Sequence, residues 1–86
     1  MKIEKKVWPE YFQSILNGEK SFELRLADFE CKPKDVLVLK EFDPKTRQFT
    51  GRVLEKEVTY VLKTKEFCPW PKKDVDKYGF FIIQLK

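Results

Sequence analysis

Gly18-Glu19-Lys20-Ser21-Phe22-Glu23-Leu24-Arg25 places a helix stop, an amine, a carboxylate and a guanidinium at the head of an alternating segment. Upstream, Trp8-Pro9-Glu10-Tyr11-Phe12-Gln13-Ser14-Ile15-Leu16-Asn17 repeats Tyr11, Phe12, Ile15 and Leu16 at helical spacing, one apolar stripe. Pro9 suits a first helical turn, where its missing amide hydrogen leaves nothing unpaired. Gly18 suits the left-handed closure of a helix. The spacing predicts a helix from about Pro9 to Asn17. Downstream, Phe22, Leu24 and Leu26 alternate with Ser21, Glu23 and Arg25, the period of a strand with one buried face. Glu23 and Arg25 then share a face, about 6.5 Å apart along the strand. Lys20 reaches them from the turn after Gly18 or through a bulge. On residue types alone the trio reads as a surface salt bridge of small stabilising value beside a solvated lysine.

The order of the residues is more specific than their types. An apolar helix Tyr11-Phe12-x-x-Ile15-Leu16, a turn Asn17-Gly18-x-Lys20 and a strand Phe22-Glu23-x-Arg25 resemble the ASCH-type domains of the wider PUA-like group, especially their very short bacterial and phage members of unassigned role. The match covers residues 7 to 27. It continues more loosely through Asp35-Val36-Leu37-Val38-Leu39-Lys40-Glu41, the turn at Asp43-Pro44 and the terminal run Gly79-Phe80-Phe81-Ile82-Ile83. The resemblance implies an α+β fold, a small PUA-like mixed β-barrel of about five to six strands with one short helix after the first strand packed at the barrel mouth. It also implies a cleft between helix and barrel, lined by Lys20, Glu23 and Arg25 with Ser21 beside them, that holds RNA or a nucleotide-like small molecule.

Composition is that of a globular domain. A chain of 86 residues makes a single domain, residues 1–86, burying about 60–65% of its unfolded surface. Hydrophobic residues at 42% leave enough apolar material to fold, and the aromatic residues, eight Phe, three Tyr and two Trp, are expected to supply much of the core. No apolar run approaches the ~18 residues of a membrane span, and the opening Met1-Lys2-Ile3-Glu4-Lys5-Lys6 leads to no signal-peptide core. A soluble cytoplasmic monomer with no membrane partner is the default expectation. Cys31 and Cys68 form no metal-spaced pair and are too few for a disulfide framework. Reduced thiols are expected, with their pairing left to geometry. The net charge of +4 biases association toward polyanions, but acids interrupt every basic stretch, so a specific signal must come from a folded patch.

The remainder reads as strands and turns. Asp35 to Phe42 is β-rich, Pro44 and Gly51 break the chain after it, and a long strand starting near Arg52 and running through Leu62 pairs antiparallel with it. Phe80 to Leu85 is apolar on both faces except at Gln84, as a central strand would be. Between these lies Lys63 to Tyr78, without clear periodicity, where five lysines interleave with Phe67, Trp70 and Tyr78. That composition suits bases stacked on Trp70 and Tyr78 with amines on phosphates. Equally, Trp70 between Pro69 and Pro71 suits a hydrophobic plug at one end of a barrel. Trp8, just before Pro9, suits a hydrophobic anchor for the helix.

With no histidine in the chain, Ser-His-Asp and Cys-His catalysis and histidine-ligated metal sites are excluded. There is no Walker-type loop, and the three glycines form no phosphate cradle. Neither a metal nor another cofactor is expected. Catalysis, if the chain performs any, rests on Lys20 and Glu23 as acid and base in a metal-independent hydrolase. Some ASCH-like proteins with the same Gly-x-Lys block are amidohydrolases of acylated cytidine derivatives, using a lysine, a threonine three residues later and a distant glutamate. Lys20 matches the lysine, but Glu23 stands at the threonine position; Glu41, Glu55 and Glu57 are candidates for the distant carboxylate. The leading expectation is a binding module for RNA or a nucleotide-like ligand. A nucleoside-directed amidohydrolase or ribonuclease is the alternative, and a protein-interaction module the second alternative.

Overall fold

Strand β1 (Lys2–Val7), helix α1 (Pro9–Leu16), strands β2 (Val36–Asp43) and β3 (Gln48–Glu57) and helix α2 (Lys72–Tyr78) follow one another along the chain. They are seen in a computed structural model that describes residues 1–65 and 68–86. The three strands form one sheet in the order β1-β2-β3. β1 runs parallel to β2, in register from Lys2 opposite Val36 to Val7 opposite Glu41. β3 returns antiparallel to β2, from Asp43 opposite Gln48 to Val36 opposite Glu57, with a shift in register between Lys40 and Phe42. In the hairpin turn, Arg47 holds a φ of 58° and donates its amide to the Asp43 carbonyl at 2.8 Å.

Parity along β2 sorts the two faces. Leu37, Leu39 and Glu41 are buried while Val36, Val38 and Lys40 are only half-buried. Helix α1 covers the first set. Phe12 and Ile15 on the helix pack with Val7, Leu37 and Leu39 as the core. Ile3, Cys31, Leu54 and Val58 close around its rim. Tyr11 and Leu16, members of the same stripe, fall on the helix flanks and stay about half exposed. The helix begins with Pro9 in its first turn and ends at Leu16, with Asn17 as its C-terminal cap. Gly18 then takes a φ of 79°. Just beyond it, the Ser14 carbonyl accepts the amides of both Glu19 and Lys20, at 3.0 and 3.1 Å, which turns the chain back toward the sheet.

The expected barrel of about five to six strands is replaced by an unclosed, three-stranded mixed sheet. Residues 22–26 alternate in sequence but carry no strand, and the apolar set expected on a buried face is the exposed one, Phe22 at 36%, Leu24 at 70% and Leu26 at 80%, while Glu23 and Arg25 between them are mostly buried. One reason lies at the outer edge of β1. The Lys6 carbonyl is taken by the Arg25 guanidinium at 2.6 Å, so a side chain occupies a group that a neighbouring strand would use. The terminal run meets residues 20–22 in the same manner, through the Gln84 side-chain oxygen accepting the Ser21 amide instead of a backbone ladder. Phe81 and Leu85 are accordingly almost fully exposed, and Phe80 to Leu85 is not a central strand. Residues 58–62 also leave the sheet, because β3 starts earlier and stops at Glu57. Among the described residues Phe12 is the one aromatic in the buried core. Trp8 is half exposed, stacked on Tyr11 at 6.3 Å. No described helix is long and apolar enough to cross a membrane.

Two substitutions separate this sheet from a closed barrel. Leu39→Ala, at a side chain 1% exposed, is expected to cost about 2–5 kcal/mol. Phe81→Ser, at a side chain 94% exposed, is expected to change stability by less than about 0.5 kcal/mol. Urea unfolding of the two variants checks both, and a large loss in Phe81→Ser would place the terminal run in the core.

Candidate functional site

A cavity of about 610 Å³ opens between residues 18–31 and residues 56–63, over a floor of Ile15, Leu37 and Leu39. Its walls exist because both flanking segments leave regular structure and are pinned to the sheet at their ends. Lys34 donates its amide to the Val58 carbonyl, and Val58 donates to the Asp35 carbonyl, both at 2.8 Å. Asp35 is itself fixed. Its carboxylate accepts the Lys32 amide at 3.1 Å and the Met1 ammonium at 3.2 Å.

Lys20, Ser21, Glu23 and Arg25 all line this cavity. Glu23 is the hub. Its Oε2 accepts from Arg25 Nε at 2.8 Å and its Oε1 from Lys20 Nζ at 3.4 Å. All three side chains are mostly buried, with exposures of 16% for Glu23, 18% for Lys20 and 29% for Arg25. Burial at that level sets the cluster apart from a surface pair of negligible worth. The Lys20 ammonium also sits 5.0 Å from the ring centroids of both Tyr11 and Phe22, within cation–π range. Lys20 reaches Glu23 from the turn that Ser14 anchors, as the parity of the sequence requires, although no strand runs through 22–26.

Trp70 and Tyr78 are not among the lining residues. Trp70 is half exposed against Phe80, ring centroids 6.0 Å apart, so it plugs nothing. Tyr78 is 74% exposed at the end of α2. Phe67, the third aromatic of that segment, lies outside the described residues. Helix α2 was not expected from the sequence, because its seven residues bury no side chain and so carry no apolar stripe. Pro71 before it and Gly79 after it, at a φ of 67°, were the available signals. Phe29, Cys31, Lys56 and Tyr60 also line the cavity and were missed, because the alternation of 55–62 suggested continuing strand. Cys31 and Cys68 are both free thiols.

Of the three candidate distant carboxylates, Glu57 lines the cavity. Glu55 pairs with Lys2 at 3.0 Å. Glu41 is buried on the helix-covered face, where Arg52 grips it bidentately through Nε at 3.0 Å and Nη2 at 2.9 Å. The Thr50 hydroxyl adds a third bond. Arg52 also donates to Gln13 Oε1 at 3.0 Å and lies 4.8 Å over the Phe12 ring, which ties the hairpin to the helix. The Arg52 and Thr50 hydrogen bonds hold the Glu41 carboxyl below its ordinary range against the opposing effect of burial, and Glu41 in turn pushes the Arg52 guanidinium up. The Lys32 amide likewise depresses Asp35, with the Met1 ammonium assisting.

A family model described as a domain of unknown function (DUF3850) matches residues 3–73, which include every residue of the cleft cluster. No curated protein and no solved structure matches the chain.

Acid stability follows from the two depressed carboxylates. Each contributes stability that is complete above the unfolded-state values of about 4 and is lost as pH falls through the lower folded-state values. Glu41→Gln is expected to be less stable at neutral pH and to lose less further stability than the parent between roughly pH 6 and pH 3. Melting temperatures across that range decide it; parallel acid profiles would remove Glu41 from the acid response.

Proposed function

We propose, for a chain that belongs to the DUF3850 family, that the cleft binds RNA or a nucleotide-like ligand. The observation that carries this is the mostly buried cluster of two cations held by the single carboxylate Glu23 at the edge of the cavity. Two positive charges against one negative leave an anion-attracting field in a partly desolvated place, where it is screened less than on an open surface. The volume of about 610 Å³ falls within the range of small-molecule sites, large enough for a nucleotide unit. Apolar walls from Leu26, Phe29 and Tyr60 suit a base or sugar face, while Lys20 and Arg25 suit a phosphate or a base edge. Glu23 orients Arg25 or accepts from an exocyclic amino group. The likeness of Gly18-x-Lys20-x-x-Glu23-x-Arg25 to the ASCH-type motif supports the same ligand class without requiring a barrel.

The 3.4 Å contact of Lys20 Nζ with Glu23 favours a second reading, hydrolysis of a bound nucleoside or RNA with this couple as acid and base.

An amide NMR titration with cytidine monophosphate, then with a short single-stranded RNA at two salt concentrations, tests the site. Shifts are expected to cluster on residues 18–25 and persist at the higher salt. Arg25→Ala and Lys20→Ala are each expected to weaken binding about tenfold or more, the loss of one charge-assisted hydrogen bond. Unchanged affinity in both variants would remove the cleft. Product formation that disappears in Glu23→Gln while binding survives would select hydrolysis.

A further inference from the structure

The sheet face turned away from α1 carries a second arrangement of cations and aromatic rings. Lys6 on β1, Lys40 and Phe42 on β2, and Phe49 and Val53 on β3 share this face by register, Lys6 lying opposite Lys40 and Phe42 opposite Phe49. The two phenyl rings meet edge to face, centroids 5.2 Å apart. Phe49 is 53% exposed, and Val53 beside it is also about half exposed. The Lys6 ammonium stands 4.5 Å from the Phe42 centroid and 5.8 Å from that of Phe49. Lys40 reaches the Phe49 ring at 5.7 Å while pairing with Glu4 at 3.0 Å.

Two features of this face are unusual for a solvated surface. Like charges set directly opposite on neighbouring strands repel, yet Lys6 faces Lys40, and among the described residues no carboxylate pairs with Lys6. Phe49 also leaves about half of an aromatic ring open to solvent on the same face. The hairpin turn beside the rings adds Lys45 and Arg47, and of the acids that the register puts on this face Glu4 pairs with Lys40 and Glu55 with Lys2, at the end of the sheet away from the rings. An open aromatic face with ammonium groups held at its margin is the chemistry that stacks an unpaired base and contacts the phosphates on either side of it.

We propose that this open face is a stacking platform for single-stranded nucleic acid, with a base on Phe49 and flanking phosphates on Lys6 and Lys40. It lies on the other side of the sheet from the cleft and shares no side chain with it, the one link being the Arg25 guanidinium on the Lys6 backbone carbonyl. A single base bound in the cleft needs no platform. A strand of several nucleotides engages it.

Fluorescence anisotropy with a labelled ten-nucleotide mixed-sequence RNA, read across a salt series, tests the proposal on the whole chain. Phe49→Leu keeps an apolar side chain on the sheet and removes the ring. It is expected to lower RNA affinity about tenfold, one stacked base, while leaving cytidine monophosphate binding unchanged. Lys6→Gln is expected to reduce the slope of log affinity against log salt by about 0.7, one phosphate contact. Chemical shifts on RNA addition should include the amides of Lys6, Lys40, Phe42 and Phe49. RNA affinity within about twofold of the parent in Phe49→Leu, below the effect of one stacked base, would overturn the platform, and so would absence of RNA binding by the parent at low salt. If Arg25→Ala abolishes cytidine monophosphate binding in that case, the cleft stands alone; if Phe49→Leu weakens RNA binding and the mononucleotide never binds, the platform stands alone.

Discussion

Parallel pairing of β1 with β2 is the constraint on which the rest of the structure depends. Two parallel neighbours cannot be joined by a tight turn, so the chain after Val7 must travel the length of the sheet before it re-enters at Val36. Residues 8–35 make that journey over one face. Helix α1 takes the first part and buries Phe12 and Ile15 against Leu37 and Leu39. The return has no regular structure, and it carries Lys20, Glu23 and Arg25. The charged cluster therefore sits over the covered face as a consequence of topology, and the cavity beneath it is space that one short helix cannot fill.

A single polar position interrupts that covered face. Glu41 continues the inward parity of Leu37 and Leu39, where an apolar side chain would be expected, and a buried carboxylate is costly unless fully bonded. Arg52 and Thr50 supply the bonds from β3, and Arg52 reaches Gln13 on α1. The network sits where the β2–β3 register shifts between Lys40 and Phe42. A one-residue slip of the hairpin would strand Glu41 without its arginine, so the register of β3 is specified by charge where few apolar side chains are available to specify it. The same register puts Phe49 opposite Phe42 on the far face.

Helix α1 and the β2–β3 hairpin were legible in the sequence because their signals are local. A stripe at 3.6-residue spacing bounded by Pro9 and Gly18, and an apolar run broken near Pro44, need nothing from the rest of the chain. Segments 22–26 and 80–85 were misread because alternation states only that a segment could pair. Whether it does depends on a free sheet edge, and at β1 the Arg25 side chain already holds the Lys6 carbonyl. Within the cleft, Lys20, Ser21, Glu23 and Arg25 lie close in sequence and their convergence could be read directly. Phe29, Lys56 and Tyr60 join them through the chain path alone, which no spacing announces. Trp70 and Tyr78 have the composition of a binding segment but stand outside the cavity, since residue type does not fix position.

The two cationic clusters differ in how their charge is compensated, and the difference bears on how each can act. In the cleft, Glu23 forms direct ion pairs with Lys20 and Arg25, so an arriving anion competes with a carboxylate already in place. The proposed recognition there would rest on shape and on hydrogen-bond geometry within a bounded volume, which suits one small unit. On the open face Lys6 is held by ring quadrupoles, which position an ammonium without neutralising its charge. Its field stays available to phosphate at the cost of stronger screening by salt, because nothing encloses it. A partly enclosed site with a compensated cluster suits selection of a ligand, as proposed for the cleft, whereas an open face with an uncompensated cation suits the proposed retention of a strand. Residues on opposite sides of one three-stranded sheet can do both without sharing a side chain.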